Sequence, residues 1–271
     1  MLSGITIGQF FPGDSLLHRM DPRMKLVLTF GYIVAVFVPQ NWVGLGIAIA
    51  FLFVSIALSR LPVRLIWKSV KPILPLIIFT SFINIFYVKG EVVLVDWWII
   101  HITLQGLINS VFIAIRILCL IAGSSLLTYT TSPTALTDAL ERLMKPLKVL
   151  HVNVHELAMM MTIALRFIPT LIEETDKIMS AQKARGADME SGSLLQRIRA
   201  LIPILIPLFV SSFRRAYELA MAMECRCYRG GEGRTRMKQL HLHQRDIGSL
   251  VIFLLMLGVV IALNFLVPKA L

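Results

Sequence analysis

Long apolar runs separated by short basic or turn-rich breaks dominate the first half of the chain. Leu26 to Val38 is the first run, Pro39-Gln40-Asn41 interrupts it, and Trp42 to Leu58 is the second. A hydrocarbon core of ~30 Å needs about 20 helical residues to cross. The first run is short for that, so it must begin nearer Met24, tilt, or sit inside a bundle. Ile73 to Val88 is the third run, with Pro72 and Pro75 at its start, and Ile102 to about Tyr129 is the fourth. Ile247 to Val267 is the last. In the second run Gly44 and Ala48, and Gly46 and Ala50, place small residues at four-residue spacing, which suits close helix packing.

From Thr130 to Asp246 the pattern changes. Charges appear throughout, yet apolar residues keep helical steps of three and four. Ser132-Pro133 opens a short helix reaching Leu143. Leu157, Met161, Leu165, Ile168, Ile172 and Met179 then form one stripe, with Pro169 predicted to kink it. It stops at Arg185-Gly186, where Gly suits a helix C-terminus. A second stripe, including Ile198, Ile202, Leu205, Phe209, Phe213 and Met223, reaches Arg226 and breaks at Gly230-Gly231.

These patterns predict an all-α integral membrane protein, with about five transmembrane helices and a cytoplasmic insert of one short and two long amphipathic helices. The expected layout is an N-terminal segment (1–25), transmembrane helices one to four (26–131), the insert (132–246), and the last transmembrane helix with the C-terminus (247–271).

Composition agrees, with 56% hydrophobic residues and a mean hydropathy of +0.76 over 271 residues. The net charge of +11 raises nucleic acid as a partner. No aromatic RNA-binding motif or basic arm accompanies it, so nucleic acid is set aside. The excess of Lys and Arg in cytoplasmic loops explains the charge more simply. Arg60, Arg64, Lys68 and Lys71 mark one such loop, and Arg234, Arg236, Lys238 and Arg245 another. Lys89 to His101, with Trp97 and Trp98, reads as an outer-face loop with aromatic anchors. The N-terminus is therefore expected in the cytoplasm, and Met1 to Phe11 lacks the basic region of a signal peptide. Cys119 reads as a small hydrophobe, and Cys225 and Cys227 as reduced thiols facing the cytoplasm.

Catalytic chemistry is sparse. There is no Walker A lysine loop, so ATP is not expected on this chain. His155-Glu156 does not continue into a metalloprotease pattern, and Glu173-Glu174 has no evident catalytic partner. No metal or cofactor is expected, and the chain reads as no enzyme. Asp21-Pro22-Arg23 can start a helix, with Asp21 as N-cap and Pro22 at the first helical position. Arg116 lies inside the fourth run, where a charge costs roughly 2.5–3.5 kcal/mol unless it faces protein or water. A functional and a structural role are both open to it, and it can pair with an acidic group or cap carbonyls inside the bundle.

The two stops in the insert are alike. Ala184-Arg185-Gly186 and Cys225-Arg226-Cys227 each set one arginine between small side chains at a helix end. Either alone is explained by the helix dipole, which favours a cation there. Two in one segment favour a second use, because a planar guanidinium in a narrow groove can pair with carboxylates. The run of methionines Met159 to Met161 fits either the ordinary filling of a helix core or an adaptable surface that accepts different partners.

Taken together, these segments resemble the transmembrane T component of energy-coupling factor transporters, the EcfT (CbiQ-like) family. The resemblance is carried by Pro12-Gly13-Asp14-Ser15, Leu17 to Lys25, Thr130-Thr131-Ser132-Pro133, Ala164-Leu165-Arg166-Phe167-Ile168-Pro169 and both arginine tips. It implies the scaffold of an importer of vitamins or transition-metal ions in a prokaryotic cell membrane. Two cytoplasmic ABC ATPases, carrying ATP and Mg, would bind the scaffold, and a separate substrate-capture S component would lie beside it in the bilayer. Ala184, Arg185 and Gly186, and Cys225, Arg226 and Cys227, would then be the ATPase-docking tips. Asp21, Pro22, Arg23, Arg116, Arg166 and Pro169 would have structural or coupling roles. Relatives usually carry Ala-Arg-Gly at the second tip. Cysteines flank Arg226 here, so the helix is expected to run on to Gly230. Two other classes stay open, a conventional ABC permease with its own substrate path and an intramembrane hydrolase.

Overall fold

The computed structural model describes residues 10–87, 93–97, 100–150, 153–187, 193–230 and 240–266. Met1, Val88, Lys89, Trp98, Gly231, Arg234, Arg236, Lys238 and Val267, named above, lie outside them. The helices are α1 (Pro22–Phe37), α2 (Trp42–Ser59), α3 (Val63–Val70), α4 (Leu74–Tyr87), α5 (Leu104–Thr130), α6 (Pro133–Met144), α7 (Val154–Ala184), α8 (Leu194–Cys225) and α9 (Gln244–Leu266). A short antiparallel hairpin, β1 (Val93–Trp97) with β2 (Ile100–Thr103), stands where the outer-face loop was expected; Trp97 pairs with Ile100 and Val93 with Thr103.

The chain divides into two compact units. One holds Phe10–Ala139 with Gln239–Leu271, and the other is built on Leu140–Lys238. In the first, α5 is the central element, packed against α1, α2, α3 and α4, while α9 lies against α1 and α2. The core joins Tyr32, Val36, Ala48, Leu52, Leu126 and Phe253, among others. Small residues set the spacing. An added Cβ at Gly123 would stand 2.6 Å from the Tyr32 ring, so α5 approaches α1 as closely as it does only because Gly123 has no side chain. Gly44 and Ala48 are buried, whereas Gly46 faces outward with nothing within 4 Å of its Cβ position. Of the two small-residue rows read from the sequence, only the first is a packing face.

Among the described residues, six helical stretches are long and apolar enough to cross a membrane: Trp42–Ser59, Val63–Phe86, Leu104–Thr130, Val154–Ala184, Ile198–Cys225 and Gln244–Leu266. The count differs from the expected five for two reasons. The first helix, α1, has only 16 residues and does not qualify, whereas both long helices of the insert do. The third stretch also begins earlier than its proline pair suggested. Val63–Val70 is already helical, and Pro72 is accommodated in a 3₁₀ turn, Lys71–Ile73, that passes directly into α4. Arg64 and Lys68 therefore sit on a helix rather than in a loop.

The close approach at Gly123 gives a test. Gly123→Leu forces Tyr32 aside and should destabilise the bundle by about 1–3 kcal/mol, seen as a lower melting temperature in detergent. Gly46→Leu, which meets open space, should be near neutral.

Candidate functional site

The ends of α7 and α8 share one backbone design. A helix leaves its last four carbonyls without intrahelical partners. At the end of α7, Gly186 N–H donates to Lys183 O (3.0 Å) and Ala187 N–H to Gln182 O (3.0 Å), while Gly186 takes a left-handed φ of 85°. At the end of α8, Cys227 N–H donates to Glu224 O (2.8 Å) and Tyr228 N–H to Met223 O (3.0 Å), and Cys227 takes φ 56°. Both are Schellman turns, and in both the arginine, Arg185 or Arg226, is the C-cap residue.

The second tip corrects the sequence reading. Helix α8 does not continue to Gly230; it stops at Cys225, because Cys227 adopts the conformation that Gly186 adopts in the first tip. A side chain in that region costs roughly 1–2 kcal/mol, which the two closing hydrogen bonds offset. Ala184, Arg185, Gly186, Cys225, Arg226 and Cys227 are all exposed. Among the described residues, neither guanidinium has an ion-pair partner.

Helices α7 and α8 pack against each other within their unit. Arg215 Nη2 meets Glu174 Oε2 at 2.6 Å, and Gln182 Nε2 comes within 3.5 Å of Pro203 O. As the sequence position rises along α7 it falls along α8, so the pair runs antiparallel and the tips lie at opposite ends. At 1.5 Å per residue, Pro203 to Arg226 spans roughly 35 Å, which sets the order of separation between the arginines.

The face that α8 turns inward is not its apolar stripe. Ile204 is buried and Leu208, Ser212, Arg215 and Leu219 are partly so, whereas Ile202, Leu205, Phe209 and Phe213 are exposed, Phe209 by 66%. In an apolar surrounding this arrangement is stable, because polar groups gain by pairing inside while apolar ones lose nothing by facing outward. The Glu174–Arg215 pair is not legible in the sequence, since the partners lie far apart along the chain. Pro169, Pro203 and Pro207 all lie inside helices. Arg166 is exposed on α7, with no ion-pair partner among the described residues. Met160 and Met161 are exposed as well. His155 Nδ1 meets Glu141 Oε1 at 3.1 Å.

Asp21, Pro22 and Arg23 belong to the other unit, where they form a buried charge knot. Pro22 is the first residue of α1, and the Asp21 carboxylate accepts the Arg23 N–H (2.9 Å) and its guanidinium (2.8 Å). Arg23 also donates to Leu240 O at 2.9 Å. Asp246, 1% exposed, accepts the backbone N–H groups of Asp21 (3.0 Å) and His243 (2.9 Å). Lys25 Nζ donates to His18 O (3.1 Å) and to Thr130 O (2.9 Å) at the C-terminal end of α5, where the helix dipole favours a cation. Burial pushes the Asp21 carboxyl up, but the hydrogen bonds and charge of Arg23 outweigh it and hold the group below the usual carboxylate value. The contribution of Asp21 is thus present at neutral pH and disappears as the pH falls through that lowered value.

Arg116 resolves in favour of a carbonyl. Its Nη2 donates to Pro39 O at 2.7 Å, and its guanidinium lies 4.8 Å from the Phe112 ring centroid and 5.8 Å from that of Phe37. Asn264 holds the same α1–α2 turn, donating to Val38 O (2.7 Å) and accepting from Gln40 N–H (3.1 Å).

The fold is thus that of a multi-pass helical membrane protein with a capped arginine at the end of each of its two longest helices. The CbiQ family, described as cobalt transport proteins, matches residues 13–237. An energy-coupling factor transporter transmembrane protein EcfT from Ruminiclostridium cellulolyticum is 52% identical across 94% of this chain and 96% of its own length. The protein of the same description from Clostridium kluyveri is 54% identical across 91% and 92%, and that from Lactococcus lactis subsp. cremoris 43% across 94% and 97%. The chain belongs to the EcfT (CbiQ-like) family of energy-coupling factor transporter transmembrane proteins.

Matched capping gives a paired prediction. Gly186→Ala should cost the end of α7 roughly 1–2 kcal/mol and speed amide exchange in its last turn. Cys227→Gly should do the opposite for α8.

Proposed function

We propose that the chain is the non-catalytic scaffold through which two cytoplasmic ABC ATPases drive an importer, each ATPase holding one arginine tip. The observation that carries this reading is the repeated tip. Two helix ends with different flanking residues reach the same Schellman geometry, and each presents an exposed guanidinium unengaged by the described residues of the chain. Among the described residues neither arginine makes a side-chain hydrogen bond, which leaves both guanidiniums open to an outside partner. A groove lined by carboxylates on each ATPase supplies the complementary chemistry. Separation of the tips by roughly 35 Å lets two subunits bind at once without sharing a surface.

Work then passes through the rods. ATP and Mg on the partners close the two ATPases, the tips move with them, and α7 and α8 tilt about their internal prolines and the Glu174–Arg215 contact. The apolar outer stripe of α8 suits a membrane-embedded S component that delivers the cargo, a vitamin or a transition-metal ion. In this arrangement the N-terminus and the two tips face the cytoplasm of a prokaryotic cell, consistent with the basic residues flanking α1 and α3.

The test is a double Arg185→Glu, Arg226→Glu variant. Breaking one buried charge pair typically costs about 2–5 kcal/mol. The variant should insert into the membrane and purify as a single species, yet fail to copurify its ATPases and fail to support uptake. Normal assembly and uptake would remove the basis of the reading.

A further inference from the structure

The unit built on α1, α2, α5 and α9 carries a lateral groove of about 390 Å³ that arginine docking does not use. Its walls run from Lys25 to Tyr32 on α1, Phe51 to Leu58 on α2, Gly123 to Thr130 on α5 and Arg245 to Ile252 on α9, with Leu16, Leu17 and Met20 across one end. Each wall rises roughly 10 Å at 1.5 Å per residue. That is most of the depth of one leaflet's hydrocarbon, ~15 Å when the core is halved.

The interior offers nothing to a polar guest. The donors on its walls are already engaged: Thr29 on Lys25 O, Ser55 on Phe51 O, Ser249 on Asp246 O, Tyr32 on Ala48 O, and Lys25 on His18 O and Thr130 O. The mouth is different. Asp21 is matched by Arg23, and Lys25 feels the charges of Asp21 and Asp246. The Asp246 carboxylate is buried on two backbone N–H groups. Arg245, beside it, is exposed and has no ion-pair partner among the described residues. An apolar slot ending at an uncompensated guanidinium is complementary to an amphiphile with an anionic head.

We propose that this groove seats an acyl chain of one anionic phospholipid, drawn from the leaflet on the basic side of the bundle, with its phosphate held by Arg245. Guanidinium–phosphate pairing can be bidentate, and that leaflet is where anionic lipids meet basic residues. The bound lipid would fill the space beside Gly123 and Tyr32 and tie α9 to α2 at the level of the charge knot. The site is independent of the docking tips.

The full chain, reconstituted in nanodiscs of equal phosphatidylglycerol and phosphatidylcholine and re-extracted in mild detergent, is examined by native mass spectrometry. One retained phosphatidylglycerol per chain is expected. Arg245→Ala should lower the preference for phosphatidylglycerol about five-fold, and Arg245→Lys should keep most of it. Gly248 lines the groove, and a Cβ there meets nothing within 4 Å; Gly248→Phe should therefore block retention of both lipids. If that variant does not fold, the exposed Arg245 variants still decide the matter. Equal retention of the two lipids by the unaltered chain, or an unchanged preference in Arg245→Ala, overturns the proposal. Retention of neither lipid also overturns it and leaves the groove to a protein segment.

Discussion

A helix that ends away from its neighbours must satisfy its last carbonyls, and the manner of doing so decides where the chain points next. In α7 and α8 this is done by a turn through one left-handed residue, Gly186 or Cys227. That turn halts the helix abruptly and leaves the preceding arginine as the last residue on the rod. The guanidinium is therefore placed by backbone hydrogen bonding rather than by side-chain packing. The result is stiff at the Cα and free at the charged end.

The same economy of polar groups organises the unit built on α1, α2, α5 and α9. At its basic end Asp21, Arg23, Lys25 and Asp246 form a knot in which they engage one another, or backbone groups at the ends of α1, α5 and α9. At the other end, Arg116 and Asn264 meet the unsatisfied carbonyls where α1 gives way to Pro39. Between these belts the helices approach through small residues, most closely at Gly123. The unit is thus tied at both ends and close-packed between them.

Much of this was legible in the sequence. The break at Pro39-Gln40-Asn41, the N-cap at Asp21 and the stop at Gly186 follow from local chemistry, and the structure places each of them there. What was not legible depended on surroundings. Cys227 has no intrinsic preference for a left-handed φ, so its role emerges only from the hydrogen bonds that close the turn. The stripe on α8 is legible as a period, but periodicity reports amphipathicity, not which side is buried. In a membrane protein the apolar side can face outward, as Phe209 and Phe213 do. Arg116 could have met an acid or a carbonyl, and no sequence rule chooses between them. The family resemblance, by contrast, was carried by several short motifs in order, and comparison with relatives upholds it.

Native chemistry supplies a direct test of the docking account. Cys225 and Cys227 flank Arg226 and are exposed in the free chain, so their alkylation by a maleimide reports on the second tip without any engineered change. Addition of the two ATPase subunits should slow labelling of both thiols strongly while leaving the protein fully folded. Labelling at the same rate in the free chain and in the assembled complex would contradict the account, because it would show the tip uncovered when its partners are bound.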